Sequence, residues 1–326
     1  MDKLILHRFS MGDEGMVHAF RSLRDSLRYP FQEDSLPMDA EYFMVTQDGK
    51  PVARVAVVPN PHFDRSTAMI GFFEAMDAPE AVTMLFNAIA GHCRSEGKKR
   101  IVGPINGSTW NSYRVALPVG KPFFMDVMSQ PYYSKLFEAN EFKTLADYFS
   151  SKSPIDGNSF DRWEKRHTEL MERGFSIHTL DTSRTEAQLR EIHALSVVGF
   201  QRNFLYTPIG EKQFMAKYLP LMAKADPKFI FLLRDGDGRL VGYHFAIRNI
   251  LCRERLELVQ KTIALLPELK GQGFGSLLME HCRREAFLNG YSAVYHALMH
   301  SDNVSARINA AKQDVVRRYK LYYKEI

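Results

Sequence analysis

The chain reads as a mixed α/β protein built from two tandem copies of one unit, on three observations. Strand-like alternation and helix-like spacing follow one another in the same order twice over the 326 residues. A polar, serine-rich stretch separates the two runs, and a glycine-rich turn joins a strand to a helix in the second run only. The length suits two domains of ordinary size, and 45% apolar with 25% charged residues is a globular balance rather than a disordered one.

The first run begins with a strand over 3–9 and a helix over 13–28, then strands over 42–46 and 51–58 joined by the turn Gln47-Asp48-Gly49-Lys50. A strand over 67–74 leads to a helix over 79–96, on which Val82, Leu85, Phe86, Ile89 and Ala90 recur at helical spacing. A strand over 100–103, a helix over 131–140 and a strand over 142–150 complete it. The stretch Ser150 to Ser159 has linker composition, which divides the chain into domains 1–152 and 153–326. Asp161 to His167 reads as a charged helix opening the second domain. The second run then has a strand over 175–180, helices over 185–199 and 211–223, and a strand over 229–234. The turn Asp235-Gly236-Asp237-Gly238, strands over 240–247 and 255–265, and a helix over 275–289 follow. A strand over 292–298, a helix over 303–311 and a closing strand pair around Val315 to Tyr323 end the chain.

The most informative segment is Pro267 to Ser276, which follows a strand and opens a helix. The alternate glycines Gly271, Gly273 and Gly275 let successive backbone N–H groups converge, and the helix start adds its positive dipole end, so the turn suits a diphosphate. A Rossmann loop would need G-x-G-x-x-G and an acidic residue about 20 positions on. Here the spacing is G-x-G-x-G, and Gly290 to Met299 holds no carboxylate. A P-loop is excluded because no Lys-Ser or Lys-Thr pair follows the last glycine.

These residues carry a family resemblance. Leu265-Leu266-Pro267-Glu268-Leu269-Lys270-Gly271-Gln272-Gly273-Phe274-Gly275 resembles the acyl-CoA pyrophosphate loop of the GCN5-related N-acetyltransferases (GNAT), with Lys270 at the basic position and Gly273 and Gly275 at the small ones. Ile101 to Asn106 and Pro131 to Phe142 are similar to the same family's core, but Met76-Asp77-Ala78-Pro79-Glu80-Ala81 stands where the first copy's loop should be. It has no glycine, Pro79 removes an N–H, and Asp77 and Glu80 repel a diphosphate, so the first copy is not expected to bind CoA.

The resemblance implies two GNAT-like domains, each a mixed, mostly antiparallel sheet flanked by helices. It also implies acetyl-CoA or another acyl-CoA as co-substrate and transfer of the acyl group to an amine by direct attack. The pantetheine arm would enter between splayed strands, Leu256 to Leu266 and Ala293 to Met299, with a bulge N–H near Leu265 polarising the thioester carbonyl. The cofactor residues implied are Ile263, Leu265, Lys270, Gly271, Gln272, Gly273, Phe274, Gly275, Ser276 and Asn303.

The acid and base are less well marked. Glu257 is a candidate base, placed by strand alternation on one face with Val259, Lys261, Ile263 and Leu265, although Arg253-Glu254-Arg255 beside it also fits a solvated charged group. The phenol that many members carry is absent, since its position falls on Ala310 in the second copy and Phe137 in the first. Tyr295, His296 and His300 are substitutes by proximity to the cleft, and Tyr206 lies between two helices where the family builds its acceptor pocket. A thiol leaving group with pKa about 8.5 can also depart without a dedicated acid.

Other classes find little support. The net charge of +5 is spread along the chain, so nucleic-acid binding is not indicated. The 11 histidines form no zinc pattern, and Arg239 and Leu240 spoil Asp235 to Gly238 as a calcium loop, so no metal is expected. Cys93, Cys252 and Cys282 are far apart and expected to be free, and no stretch is long and apolar enough to span a bilayer. A cytoplasmic protein is the expectation, with the first domain supplying shape, part of the acceptor pocket or a surface for a second copy of the chain. Two alternatives stay open: a non-catalytic acyl-CoA-binding or sensing protein, and an aminoacyl-tRNA-dependent transferase.

Overall fold

The computed structural model describes residues 3–27, 35–156, 160–301 and 314–326, with only the backbone of 161 and 162. The expected helix over 303–311, with Asn303 and Ala310, lies outside the described residues. The chain forms two compact units: the first takes Met1–Gly120, Val127–Tyr148 and Arg317–Ile326, the second Lys121–Asp126 and Phe149–Val316. Each is a mixed sheet with helices packed on it.

The first unit contains β1 (Leu4–Phe9), α1 (Glu14–Ser26), β2 (Glu41–Gln47), β3 (Lys50–Val58), β4 (Thr67–Ala75), α2 (Pro79–Ser95), β5 (Arg100–Gly103), the short β6 (Val115–Ala116) and α3 (Tyr133–Ala139). It also holds the first half of β7 (Lys143–Pro154) and most of β13 (Asp314–Glu325). Its strands run β1-β2-β3-β4-β5-β13, and only β4 and β5 are parallel. The β2–β3 turn is a two-residue hairpin in which Asp48 (φ 49°) and Gly49 (φ 78°) are both left-handed, as the strand twist demands. The Asp13 carboxylate caps α1 by accepting from the Met16 N–H at 3.1 Å. The helical stripe expected on α2 is buried, with Cys93 extending it.

The second unit contains α4 (Asp161–Glu172), β8 (Ser176–Thr179), α5 (Thr185–Gly199), α6 (Glu211–Met222), β9 (Ile230–Arg234), β10 (Leu240–Arg248), β11 (Glu257–Leu265), α7 (Phe274–Leu288) and β12 (Ala293–His300). The order is β12-β11-β10-β9-β8, antiparallel except for the parallel pair β11–β12. Phe231, Leu233, Leu258, Phe274, Leu277, Leu278, Cys282 and Val294 form its core under α7. Asp235 to Gly238 is a hairpin turn, whose Asp235 side chain accepts from the Asp237 and Arg239 N–H groups.

Three expectations are corrected. The linker-like Ser150 to Ser153 is strand: β7 runs to Pro154, and Ser150 accepts the Leu298 N–H at 2.9 Å. Small hydroxyls there fill tight places in a sheet, and their polarity hides the strand from a hydropathy reading. The closing strand pair is instead one strand of 12 residues, β13, which pairs antiparallel with β5 in the first unit. The compact units differ from the single cut after 152: 121–126, 149–152 and 317–326 fall on the other side of it. Long-range pairing and burial decide this, and neither leaves a local mark.

Candidate active site

The glycine turn is built as a left-handed double bend. After β11 a short 3₁₀ turn, Pro267–Leu269, leads to Gly271 (φ 80°) and Gly273 (φ 85°), and α7 starts directly at Phe274. Both values are costly for any residue with a Cβ. Gly275 lies inside the helix, where a Cβ would make only ordinary contacts, 3.7 Å from Ile263 and 3.8 Å from Leu265. Neither a left-handed φ nor a clash therefore requires glycine at this position. No side chain caps the N-terminus of α7, so its first-turn amides, including those of Phe274, Gly275 and Ser276, face outward with the helix dipole.

The polar side chains of the turn are committed elsewhere. Lys270 Nζ donates to the Gly199 carbonyl at 2.8 Å, at the C-terminal end of α5. Gln272 Nε2 donates to the Glu268 carbonyl at 2.7 Å, and Glu268 pairs with Arg239 at 3.0 Å. The cations that reach the turn come from α4 instead: Arg166 Nη2 donates to the Gln272 carbonyl at 3.1 Å and Arg173 Nη2 to Gln272 Oε1 at 3.3 Å. Sequence reasoning missed both, because α4 reads only as a charged helix.

Next to the turn, the parallel pair opens. β11 and β12 are in register over four residues, from Glu257↔Ala293 to Gln260↔His296, and no further pairs form among the described residues. Lys261 to Leu265 thus present backbone groups toward the side that β12 has left. A β-bulge marks the opening: Phe245 pairs with Thr262 and Ala246 with Gln260, leaving Lys261 as the extra residue. The bulge was expected near Leu265 and lies at Lys261. One extra residue inverts strand alternation, which corrects the expectation that Glu257, Ile263 and Leu265 share a face. Ile263 and Leu265 join Leu258 in the core beneath α7, whereas Glu257 faces the other way.

In the first unit the corresponding parallel pair stays closed. Beyond Met69↔Val102 the Ile105 N–H donates to the Ile70 carbonyl at 2.7 Å and the Phe72 N–H to Asn106 Oδ1 at 2.7 Å. Gly71 makes this possible, since a Cβ there would lie 2.2 Å from the Ile105 carbonyl oxygen.

Of the three catalytic candidates, the structure joins two and separates the third. Glu257 accepts from Lys152 Nζ at 2.5 Å and from Asn249 Nδ2 at 3.1 Å, and the Tyr295 phenol is close enough to feel its charge. Burial raises its carboxyl, but the Lys152 and Asn249 hydrogen bonds and the Lys152 charge prevail and hold it below its ordinary value. Burial and the Glu257 charge push the Tyr295 phenol up. The segment 121–126 closes over this group: the Phe124 N–H donates to Asn249 Oδ1 at 2.9 Å, Lys261 Nζ donates to the Met125 carbonyl at 2.9 Å, and the Phe123 and Tyr295 rings lie 4.9 Å apart. Lys152, Asn249 and Lys261 escaped sequence reasoning because each meets its partner only through the fold. A cavity of about 240 Å³ beside Glu257 is lined by Lys152, Arg255, Ser292 and Asp314 at the strand ends away from the glycine turn.

His296 points to the opposite face, against α7. Its Nε2 lies 3.3 Å from Ser153 Oγ, which also accepts from Arg283 at 2.8 Å. Burial and the Arg283 charge depress its imidazole to about 4, so it is neutral at pH 7, and its Nδ1 has no partner among the described residues. Tyr206 donates to the Val197 carbonyl at 3.2 Å between α5 and α6, and the His300 ring lies 5.4 Å from Phe204.

Residues 161–303 match the family model described as "Acetyltransferase (GNAT) domain". This segment is a GNAT-family domain. No curated protein matches the sequence. Among solved structures, the chain is similar to a tandem GNAT protein from the clavulanic acid biosynthesis pathway, at 12% identity and TM-score 0.56, covering 99% of this chain and 98% of that one. A GCN5-related N-acetyltransferase from Sphaerobacter thermophilus gives 12% identity and TM-score 0.53, covering 99% and 95%. The glucosamine N-acetyltransferase region of a fungal multi-domain β-N-acetylglucosaminidase gives 15% and 0.58; the chain, covered over 99%, spans 38% of that protein. At these identities the likeness shows the fold alone, a tandem GNAT architecture.

Proposed function

We propose that the protein is an acyl-CoA-dependent N-acyltransferase, most simply an N-acetyltransferase, working through its second unit. The observation that carries this is the conjunction at the end of β11: a parallel pair that opens after Gln260↔His296, directly before a left-handed glycine turn and an uncapped helix N-terminus. Exposed strand-edge groups suit the amides of a pantetheine arm, and the turn suits its diphosphate. Acyl-CoA would supply the activated thioester, and the acceptor would be an amine.

Within that reading the chain's residues divide the tasks. The backbone at the Lys261 bulge, where β11 leaves regular pairing with β10, would donate to a developing oxyanion. Glu257, held ionised by Lys152 and Asn249, favours a nearby cation and so an approaching ammonium, while its lowered pKa makes it a weak proton acceptor. The segment 121–126, with Phe123 against Tyr295, would form a wall on the acceptor side.

Titration calorimetry with acetyl-CoA on the wild-type chain and on Gly273→Glu tests the reading. Binding by the wild type and its abolition in a folded variant is expected, because the new side chain would enter the turn with a negative charge. Unchanged affinity would defeat it. The tight Lys152–Glu257 pairing favours a second reading, an acyl-CoA-binding protein without turnover. Thiol release above background with any member of an amine panel would exclude that reading.

A further inference from the structure

Two guanidinium groups converge on a place that already carries positive potential. Arg166 lies so closely over Gly273 that a Cβ built there would fall 1.5 Å from its Nη2 and 2.2 Å from its Cζ. Arg173 reaches the same turn through Gln272 Oε1 and stands 5.5 Å from the Phe274 ring centre. Neither arginine has a carboxylate partner among the described residues. Both stand beside the uncapped N-terminus of α7, whose dipole end repels cations. Two like charges set against a third without a counter-charge are unfavourable in isolation. An anion with several oxygens at this spot would reverse the sign of every one of these interactions.

The loop's own lysine does not fill this role. Lys270 occupies the position where the GNAT pattern places a basic residue, yet its ammonium is bound to the Gly199 carbonyl at 2.8 Å, where it stabilises the negative end of α5. A guanidinium is also the better phosphate ligand, since its planar fork can donate two parallel N–H bonds.

We propose that Arg166, seconded by Arg173, is the phosphate-binding cation of the site, so that α4 rather than the glycine turn supplies the charge that recognises the diphosphate of the acyl donor. This rests on the acyl-CoA reading above and assigns its cation. Gly273 acquires a second role: besides its left-handed backbone, it leaves the room that the Arg166 guanidinium occupies. α4 thereby becomes part of the donor site.

The test is calorimetric titration of the full chain with CoA, 3′-dephospho-CoA and pantetheine, on the wild type and on Arg166→Ala, Arg166→Lys and Lys270→Ala. Arg166→Ala should weaken CoA and 3′-dephospho-CoA alike, by about tenfold or more, and leave pantetheine, which has no phosphate, unchanged. Arg166→Lys should recover part of the loss, and Lys270→Ala should weaken CoA less than Arg166→Ala does. A loss confined to CoA would move the contact to the 3′-phosphate and overturn the diphosphate assignment. Unchanged CoA affinity in Arg166→Ala, or an equal loss for pantetheine, would overturn the role altogether. Failure of the wild type to bind CoA at all would instead defeat the reading on which the proposal stands.

Discussion

At Glu257 a buried carboxylate depends on a half-buried lysine 105 positions earlier in the chain. Removing one member of a fully buried pair costs about 3–5 kcal/mol, because the other charge is left without compensation. Lys152 keeps 32% of its side chain exposed, so solvent would take over part of its role, and Lys152→Ala is expected to cost about 1–3 kcal/mol by urea denaturation. The double variant Lys152→Ala with Glu257→Gln should recover part of that loss, and a loss in the double variant equal to the sum of the two single losses would show that the pair is not coupled. Of this group, only Glu257 and Tyr295 were legible beforehand, as polar residues on strands beside the cleft. Lys152 sits in a serine-rich stretch that reads as linker, and nothing local links it to Glu257.

The parallel pairs β4–β5 and β11–β12 hold the same place in the two units' element order and differ in whether they open. In the second unit pairing stops at Gln260↔His296, whereas in the first the chain beyond β5 bonds back through Ile105 and Asn106. This closure needs Gly71, and Gly71→Val should destabilise the first unit by several kcal/mol, since its branched side chain would meet backbone rather than a movable side chain. With one open parallel pair among the described residues, calorimetry should also give one CoA per polypeptide, and a stoichiometry of two would contradict the closure. The absence of a glycine turn before α2 was visible in the sequence, but the closed slot was not. It depends on an amide side chain, Asn106, finding a strand edge 34 residues earlier. The bulge at Lys261 escaped for a related reason: one extra residue leaves the hydrophobic pattern nearly intact while turning every later side chain over.

For the molecule as a whole, the buried imidazoles set a response to acid. Burial first, then neighbouring positive groups, depresses His296 to about 4 and His281 to about 4, and burial depresses His244 to about 3. An unfolded histidine takes up its proton near pH 6.5, so each of these sites contributes in full above that pH and loses about 1.4 kcal/mol per pH unit as pH falls from there toward the folded value. Chemical denaturation should therefore show stability level between pH 7 and 8 and falling between pH 6.5 and 5, above the range where carboxylates protonate. A midpoint unchanged between pH 7 and 5 would contradict the burial of these rings. What the sequence determined by itself was local in nature: the order of strands and helices, the two-residue hairpin, the glycine turn before a helix, and through that turn the family of the second half. These follow from periodicity and backbone conformation, which act over a few residues. The tertiary structure alone decided which way Ile263 and Leu265 face, which cations stand at the turn, which strands open, and to which unit 121–126 and 317–326 belong. Those outcomes rest on contacts between residues far apart in the chain, and such contacts are chosen by burial and hydrogen-bond satisfaction of the whole fold rather than by any local pattern.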